Sequence, residues 1–290
     1  MHYRALSFHA RRTTAWMPEQ LPGARRRCRW SRLFVLSLCM FATVASGDLA
    51  GLDKPADSEA MQARVDAVGR QIRSRPDAAE LYVQRGEAYF KLREFDKAID
   101  DYSTAIRLDD RQDDAYFGRG MALGRSGEID KGIADLGVYI KRHPKSSLAH
   151  TKRGVRYLWK GDEANAEKDF VRAIALNPRN AEAHDDLGVI RARRGEYAKA
   201  AEHFSTTIRN DPSYQKAYHN LAMVYYLVGR EQEALTVAND SVRLAPEDRN
   251  ALLLKSKILE SLGRHEEARR VREEAEFLPT GNWSEEMPVQ

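Results

Sequence analysis

Small and apolar positions return with helical spacing along most of the chain. In Ser147–Asn180, His150, Arg153, Gly154 and Tyr157 fall at i, i+3, i+4 and i+7, on one face of a first helix. Ala166, Phe170, Ala173 and Ile174 share one face of a second helix, and Gly161 joins the two. Glycine at that joint suits a left-handed C-terminal residue. Pro178 ends the second helix, because proline lacks the N–H that a helix interior needs. Small side chains at 154 and 166 let the two backbones approach, and Phe170 fills the space beside them.

The pattern repeats every 34 residues without insertion from Ala79 to about Phe277. The Gly154 slot holds Gly86, Gly120, Gly188, Ala222 and Ser256. The Gly161 slot holds Gly127, Gly195, Gly229 and Gly263, with Arg93 as the exception. The Ala166 slot holds Ala98, Gly132, Ala200, Ala234 and Ala268. The Pro178 slot holds Pro76, Asp110, Pro144, Pro212 and Pro246. One such hairpin cannot bury its own apolar face, whereas a stack of them can. The expected units are 79–112, 113–146, 147–180, 181–214, 215–248 and 249–278. Residues 58–78 are expected to form an N-terminal capping helix with Ser58 as its N-cap, and 279–290 a loose tail. The first helix of the sixth unit is very apolar, and no further unit follows it. Leu254 and Leu262 are therefore expected to be partly exposed, covered by the tail around Leu278 and Trp283, or buried in a homodimer through the C-terminal end.

This period, with its order of small, aromatic and proline positions, resembles the tetratricopeptide repeat (TPR) family. His184-x-x-Leu187-Gly188, Ala200-x-x-x-Phe204 and Pro212 carry the resemblance, as do Tyr218-x-x-Leu221-Ala222-x-x-Tyr225, Ala234 and Pro246. It implies an all-α, right-handed helical-repeat solenoid whose first helices line a concave groove. By the family pattern, the groove positions include Phe117, Met121, Arg125, Val155, Leu158, Trp159, Val189, Arg193, Met223 and Tyr226. An apolar strip bearing Trp159 and Tyr226 suggests protein or peptide binding, with Leu158, Trp159 and Tyr226 as anchors. Arg125 and Arg193 are expected to orient an acidic or C-terminal group of the partner. The alternative is that Trp159 and Tyr226 pack between neighbouring first helices. Some family members clamp a C-terminal carboxylate with lysine and asparagine at fixed groove positions. No unit carries that pair here; Asn220 alone has the right type and place.

Charge changes the picture at one end only. The chain has 47 basic and 43 acidic residues, a formal charge of +4. Eight of the arginines and one acid, Glu19, lie in residues 1–47, which leaves 39 basic against 42 acidic residues, or −3, for the remainder. The repeat body is mildly acidic, so the overall basicity does not argue for nucleic acid. The basic leader precedes an apolar run of 13 residues, Leu33–Ala45, and small residues after it, the order of an export signal. The expectation is a periplasmic or secreted protein, with translation starting at Met17 as one option. The alternative is an uncleaved signal that tethers the chain to a membrane through Leu33–Ala45 and makes it an assembly scaffold. Cys28 and Cys39 both lie in this leader, so from Asp48 onward there is no thiol for a disulfide, nucleophile or metal.

Catalytic chemistry finds little support. The sequence has no phosphate loop, HExxH, GxSxG or calcium loop. His150 and His184 occupy one slot a unit apart, too far to share a metal, and His219 with Asp185 and Asp186 is the one grouping of His and acid. The expectation is a non-enzymatic adaptor without cofactor or metal; a metal-dependent enzyme is the remote alternative.

Overall fold

The computed structural model describes residues 55–278, with side chains from residue 58. The expectations for the leader, Leu33–Ala45 and the tail after residue 278 lie outside the described residues. Thirteen helices and no strand occur among the described residues. They are α1 (Pro55–Ser74), α2 (Ala79–Lys91), α3 (Phe95–Leu108), α4 (Asp113–Arg125), α5 (Ile129–Arg142), α6 (Ser147–Lys160), α7 (Glu163–Leu176), α8 (Ala181–Arg193), α9 (Tyr197–Asn210), α10 (Gln215–Leu227), α11 (Glu231–Leu244), α12 (Arg249–Ser261) and α13 (His265–Glu276). Each pair from α2/α3 to α12/α13 is one hairpin, and each second helix packs on the next first helix. None of the described helices is long and apolar enough to cross a membrane.

The local chemistry at each boundary is visible in the backbone. Gly127, Gly161, Gly195, Gly229 and Gly263 close the first helices with φ between 75° and 92°. Arg93 holds the same turn at φ 63° with a side chain attached, so the slot imposes left-handed geometry even where glycine is missing. Ser146, Asp162, Asn180 and Asp248 cap helix N-termini with their side-chain oxygens. Ser58 does not act as the expected N-cap: α1 begins at Pro55 and Ser58 lies within its first turn.

The fourth residue of a first helix reaches back to the proline slot. Tyr82 Oη donates to the Pro76 carbonyl and Tyr218 Oη to that of Pro212, both at 3.1 Å; His184 Nε2 sits 3.1 Å from the Pro178 carbonyl. Where Asp110 replaces the proline, Arg142 takes over. Its Nη1 donates to the Asp110 carbonyl at 2.9 Å and to Asp113 Oδ1 at 2.6 Å.

Inside each hairpin the small slot faces the aromatic one. A Cβ on Gly154 would lie 2.7 Å from the Phe170 ring, and a Cβ on Gly188 2.7 Å from Phe204. Both rings are fully buried, and burying one contributes on the order of 2–3 kcal/mol. The fifth unit makes both slots small, with Ala222 facing Ala238, and the sixth places Ser256 opposite Arg272. Arg272 bonds Ser256 Oγ at 3.4 Å and pairs with Glu260. The last described hairpin thus carries a polar pair in the slot that the third and fourth units fill with a buried ring. Leu254 is not partly exposed: it is buried among Met223, Leu235 and Ile258, facing the preceding unit, and Leu262 packs partly buried on the same cluster. At the other end Val65, Val68 and Ile72 of α1 are buried, with Val68 and Ile72 packed against Leu81.

Candidate functional site: the face lined by the first helices

The first helices touch their counterparts in succession, α2 with α4 and so on through α10 with α12, and no two second helices do so to the same degree among the described residues. The stack therefore curves toward its first-helix side, and that side forms one continuous inner face.

At the third unit this face carries charge where the other units carry apolar side chains. The tenth residue of the first helix is Ala88, Ala122, Ile190, Val224 or Ile258 elsewhere, all buried; in α6 it is Arg156, fully buried. Its Nη1 donates to the Lys152 carbonyl and its Nη2 to the Met121 carbonyl, each at 3.3 Å. Gly124 makes the room: a Cβ there would lie 2.6 Å from Arg156 Nε. The guanidinium groups of Arg156 and Arg125 lie 4.7 and 5.2 Å from the Trp159 ring, so the indole is a shared cation–π platform.

Toward the C-terminal side, buried polar groups continue the row. Lys152 Nζ donates to both carboxylate oxygens of Glu182, at 2.9 and 3.0 Å. Asn180 Nδ2 ties Ser147 Oγ and Thr151 Oγ1 at 2.8 and 2.9 Å. Asp185 accepts from Asn220 Nδ2 at 3.2 Å. Burial pushes its carboxyl up to about 6, against the pull of Lys216 and the Asn220 bond. Asp186 is held well above the ordinary carboxyl range, first by burial and then by the charges of Glu182 and Asp185, with Lys216 and Lys152 opposing. His219 is held below the usual imidazole range by burial, and its charged neighbours are Asp248 and Lys257. It does not form a metal-binding group with Asp185 and Asp186, and no cluster of three or more His, Cys, Asp or Glu that could hold a metal occurs among the described residues.

The sequence-derived groove residues divide sharply by burial. Met121, Val155, Leu158, Val189 and Met223 are buried and form the floor between neighbouring helices. Phe117, Trp159 and Tyr226 stay partly exposed; Phe117 packs on Tyr139 with centroids 5.0 Å apart. Arg125 and Arg193 do not stand at the edge as open anion ligands. Arg125 is buried on Trp159, and Arg193 Nη1 pairs with Glu163 at 3.3 Å. Leu148, in the first turn of α6 at the second position of its unit, which the family pattern also assigns to the groove, is 52% exposed.

Models of the tetratricopeptide repeat match residues 79–111, 114–146, 151–215 and 219–281. The chain belongs to the tetratricopeptide repeat family. No curated protein matches the chain as a relative. Among solved structures, the TPR array is similar to a tetratricopeptide repeat protein from Parabacteroides merdae, with 18% identity, a TM-score of 0.61, and coverage of 88% of this chain and 94% of that one. The Cut9–Hcn1 hetero-tetramer of the APC/C gives 16% identity and a TM-score of 0.65 over 83% of this chain; the match spans 45% of the other chain's length. YrrB, described as a TPR protein with an unusual peptide-binding site, gives 20% identity and a TM-score of 0.51 over 65% of this chain and 97% of that one. At these identities the likeness shows the TPR fold.

Reading the TPR groove from its family pattern misses Lys152, Arg156 and Asp186. A signal for Arg156 is present: a charged residue stands in a slot that five other units fill with alanine, isoleucine or valine. Only stacking the six units by slot, rather than reading groove positions alone, exposes it.

Proposed function

We propose that this TPR protein is a protein-interaction adaptor that binds a peptide or protein segment along its inner face. One observation carries the reading: Leu148, over half exposed, lies on the groove side of the array with the partly exposed Phe117, Trp159 and Tyr226. Apolar and aromatic side chains left open on a face otherwise floored by packed residues are what a partner's side chains can cover. The peptide-binding site described for YrrB supports the same reading by analogy of fold. Trp159 serves as a rigid platform, held by Arg125 and Arg156. The Arg-rich leader and the Leu33–Ala45 run support export to a periplasmic or extracellular space. A membrane-tethered scaffold is the second reading, favoured by the same apolar run if it is retained.

The test is affinity capture with the chain and with a Leu148→Glu, Tyr226→Ala variant. Both positions are accessible enough to change without emptying the core. A partner captured by the parent and lost by the folded variant supports the inner face. Equal capture by both moves the site elsewhere. Membrane fractionation and sequencing of the mature N-terminus separate an exported chain from a tethered one.

A further inference from the structure

α8 is the most deeply packed helix of the array, with nine of its thirteen residues buried. On its inner side it places Glu182, Asp185 and Asp186 within one turn and a half. Asp185 is 1% exposed and Asp186 4%. Two ammonium groups face these three carboxyls: Lys152 of α6, which closes on both oxygens of Glu182, and Lys216 of α10, whose charge acts on Asp185 and Asp186. Asn220 of α10 donates to Asp185. Asp186 Oδ2 is out of reach of solvent and has no hydrogen-bond donor. The other charged groups that face α8 are engaged away from this point. Glu163 and Glu167 of α7 hold Arg193, Arg191 and Arg194, and His203 of α9 meets His184 at 3.1 Å.

Three carboxyls against two ammoniums, with one carboxyl oxygen sealed and lacking a donor, is an arrangement that accepts a proton. A protonated Asp186 needs no counter-charge, whereas an ionised one leaves an excess negative charge in a packed seam. We propose that the junction between α8 and α10 is a proton-controlled joint, in which a proton held on the sealed Asp186 carboxyl beside Asp185 keeps the fourth and fifth units in register and its loss loosens them. In a solenoid each unit touches only its neighbours, so one loosened joint changes the relative rotation of the two halves and hence the shape of the inner face.

The direction follows from linkage. A carboxyl raised in the folded array is protonated there and ionised when the joint opens. Closure then takes up a proton, and the joint weakens as pH rises from the ordinary carboxyl range, near 4, through the folded values. His184, His203 and His219, all held low by burial, act in the opposite sense as pH falls below their ordinary value near 6.5. Comparing the parent with Asp186→Asn from pH 4.5 to 8.5 cancels the histidine contribution, which both chains share, and isolates the carboxyl.

The experiment is amide hydrogen exchange on the full chain across that window, corrected for intrinsic exchange, with α4 as internal reference. The expected result is that α8 and α10 lose protection relative to α4 by about tenfold per pH unit over part of the window. Asp186→Asn, which keeps the shape and needs no proton, should flatten that dependence and hold protection at pH 8.5 near its value at pH 6.5. Lys216→Met, which removes a compensating charge, should move the loss to higher pH by holding the proton more tightly. Carbon-detected titration of the Asp186 carboxyl provides a readout that does not depend on the stability of either variant. An ordinary titration near pH 4, or α8–α10 protection that tracks α4 throughout, overturns the proposal.

Discussion

The first three units join their two helices with an arginine–aspartate pair, while the next two place apolar or neutral side chains in the same slots. Arg85–Asp101, Arg119–Asp135 and Arg153–Asp169 are bidentate, with donor–acceptor distances of 2.6–2.9 Å. One unit on, the slots hold Leu187 and His203; in the fifth they hold Leu221 and Val237. The backbone arrangement is the same in both halves, so the slots demand volume and mutual satisfaction rather than charge. A paired arginine and aspartate fill the space and satisfy each other. Two apolar groups fill it with nothing to satisfy. Either solution is self-consistent, and where a polar group stands opposite an apolar one it finds its partner elsewhere, as His203 does in His184.

The largest expected effect comes from emptying the aromatic slot that the fifth unit fills with alanine. Phe170→Ala should cost about 3–5 kcal/mol, because Gly154 opposite it adds nothing to the cavity. Chemical denaturation monitored by helical circular dichroism reads this. A loss under about 1 kcal/mol would show that the hairpin collapses as the fifth does. Gly154→Ala sharpens the same point from the other side: overpacking against Phe170 should cost about 1–3 kcal/mol.

Next in size is the charged pair. Asp135→Val alone strands Arg119, which is half-buried, and should cost about 2 kcal/mol. Arg119→Leu with Asp135→Val imports the fifth unit's chemistry and should return most of that loss. A double variant as unstable as the single one would mean that the first units depend on the charge itself.

The two halves should also answer pH in opposite directions. Burial pushes Asp169 up, but bonds from Arg153 and His150 outweigh it and hold the carboxyl below its ordinary range. That contribution is complete above about pH 4 and is lost as pH falls further, so acid loosens the third unit. The α8–α10 seam carries raised carboxyls and loosens toward alkali. Thermal melts of the parent and of Asp169→Asn at pH 3 and pH 6 should converge at the lower pH. A constant gap between them would remove the linkage.

The smallest effect concerns Arg93, the single described non-glycine residue with positive φ. Arg93→Gly should gain up to about 1 kcal/mol, since left-handed strain is relieved at some cost in unfolded-chain entropy. A melting temperature unchanged or lowered would show that the Arg93 side chain compensates for its backbone.

Much of this architecture was legible in the chain. The 34-residue beat, the turn glycines and the proline stops are local demands of a helical hairpin, and each survives in a single sequence because the same local problem is solved six times. The groove was legible as a set of positions but not as a surface. Met121, Val155, Leu158, Val189 and Met223 fall on groove positions, yet the close approach of neighbouring first helices buries them. Arg125 and Arg193 read as open anion ligands because a sequence shows what a side chain can donate and not what already accepts it.

The sequence alone determined the repeat and its hairpin geometry, because these depend on spacing within one unit. Tertiary structure alone decided which inner-face groups meet across units. Arg156 lies against Gly124 and beneath Trp159, Lys152 reaches Glu182, and Asp186 is sealed without a donor. The Arg156–Gly124 and Lys152–Glu182 contacts join residues about 30 positions apart on different helices, whereas Arg156 and Trp159 are neighbours on α6. The burial of these groups, and hence their charge state, is set by how tightly the units stack, which no spacing within a unit encodes.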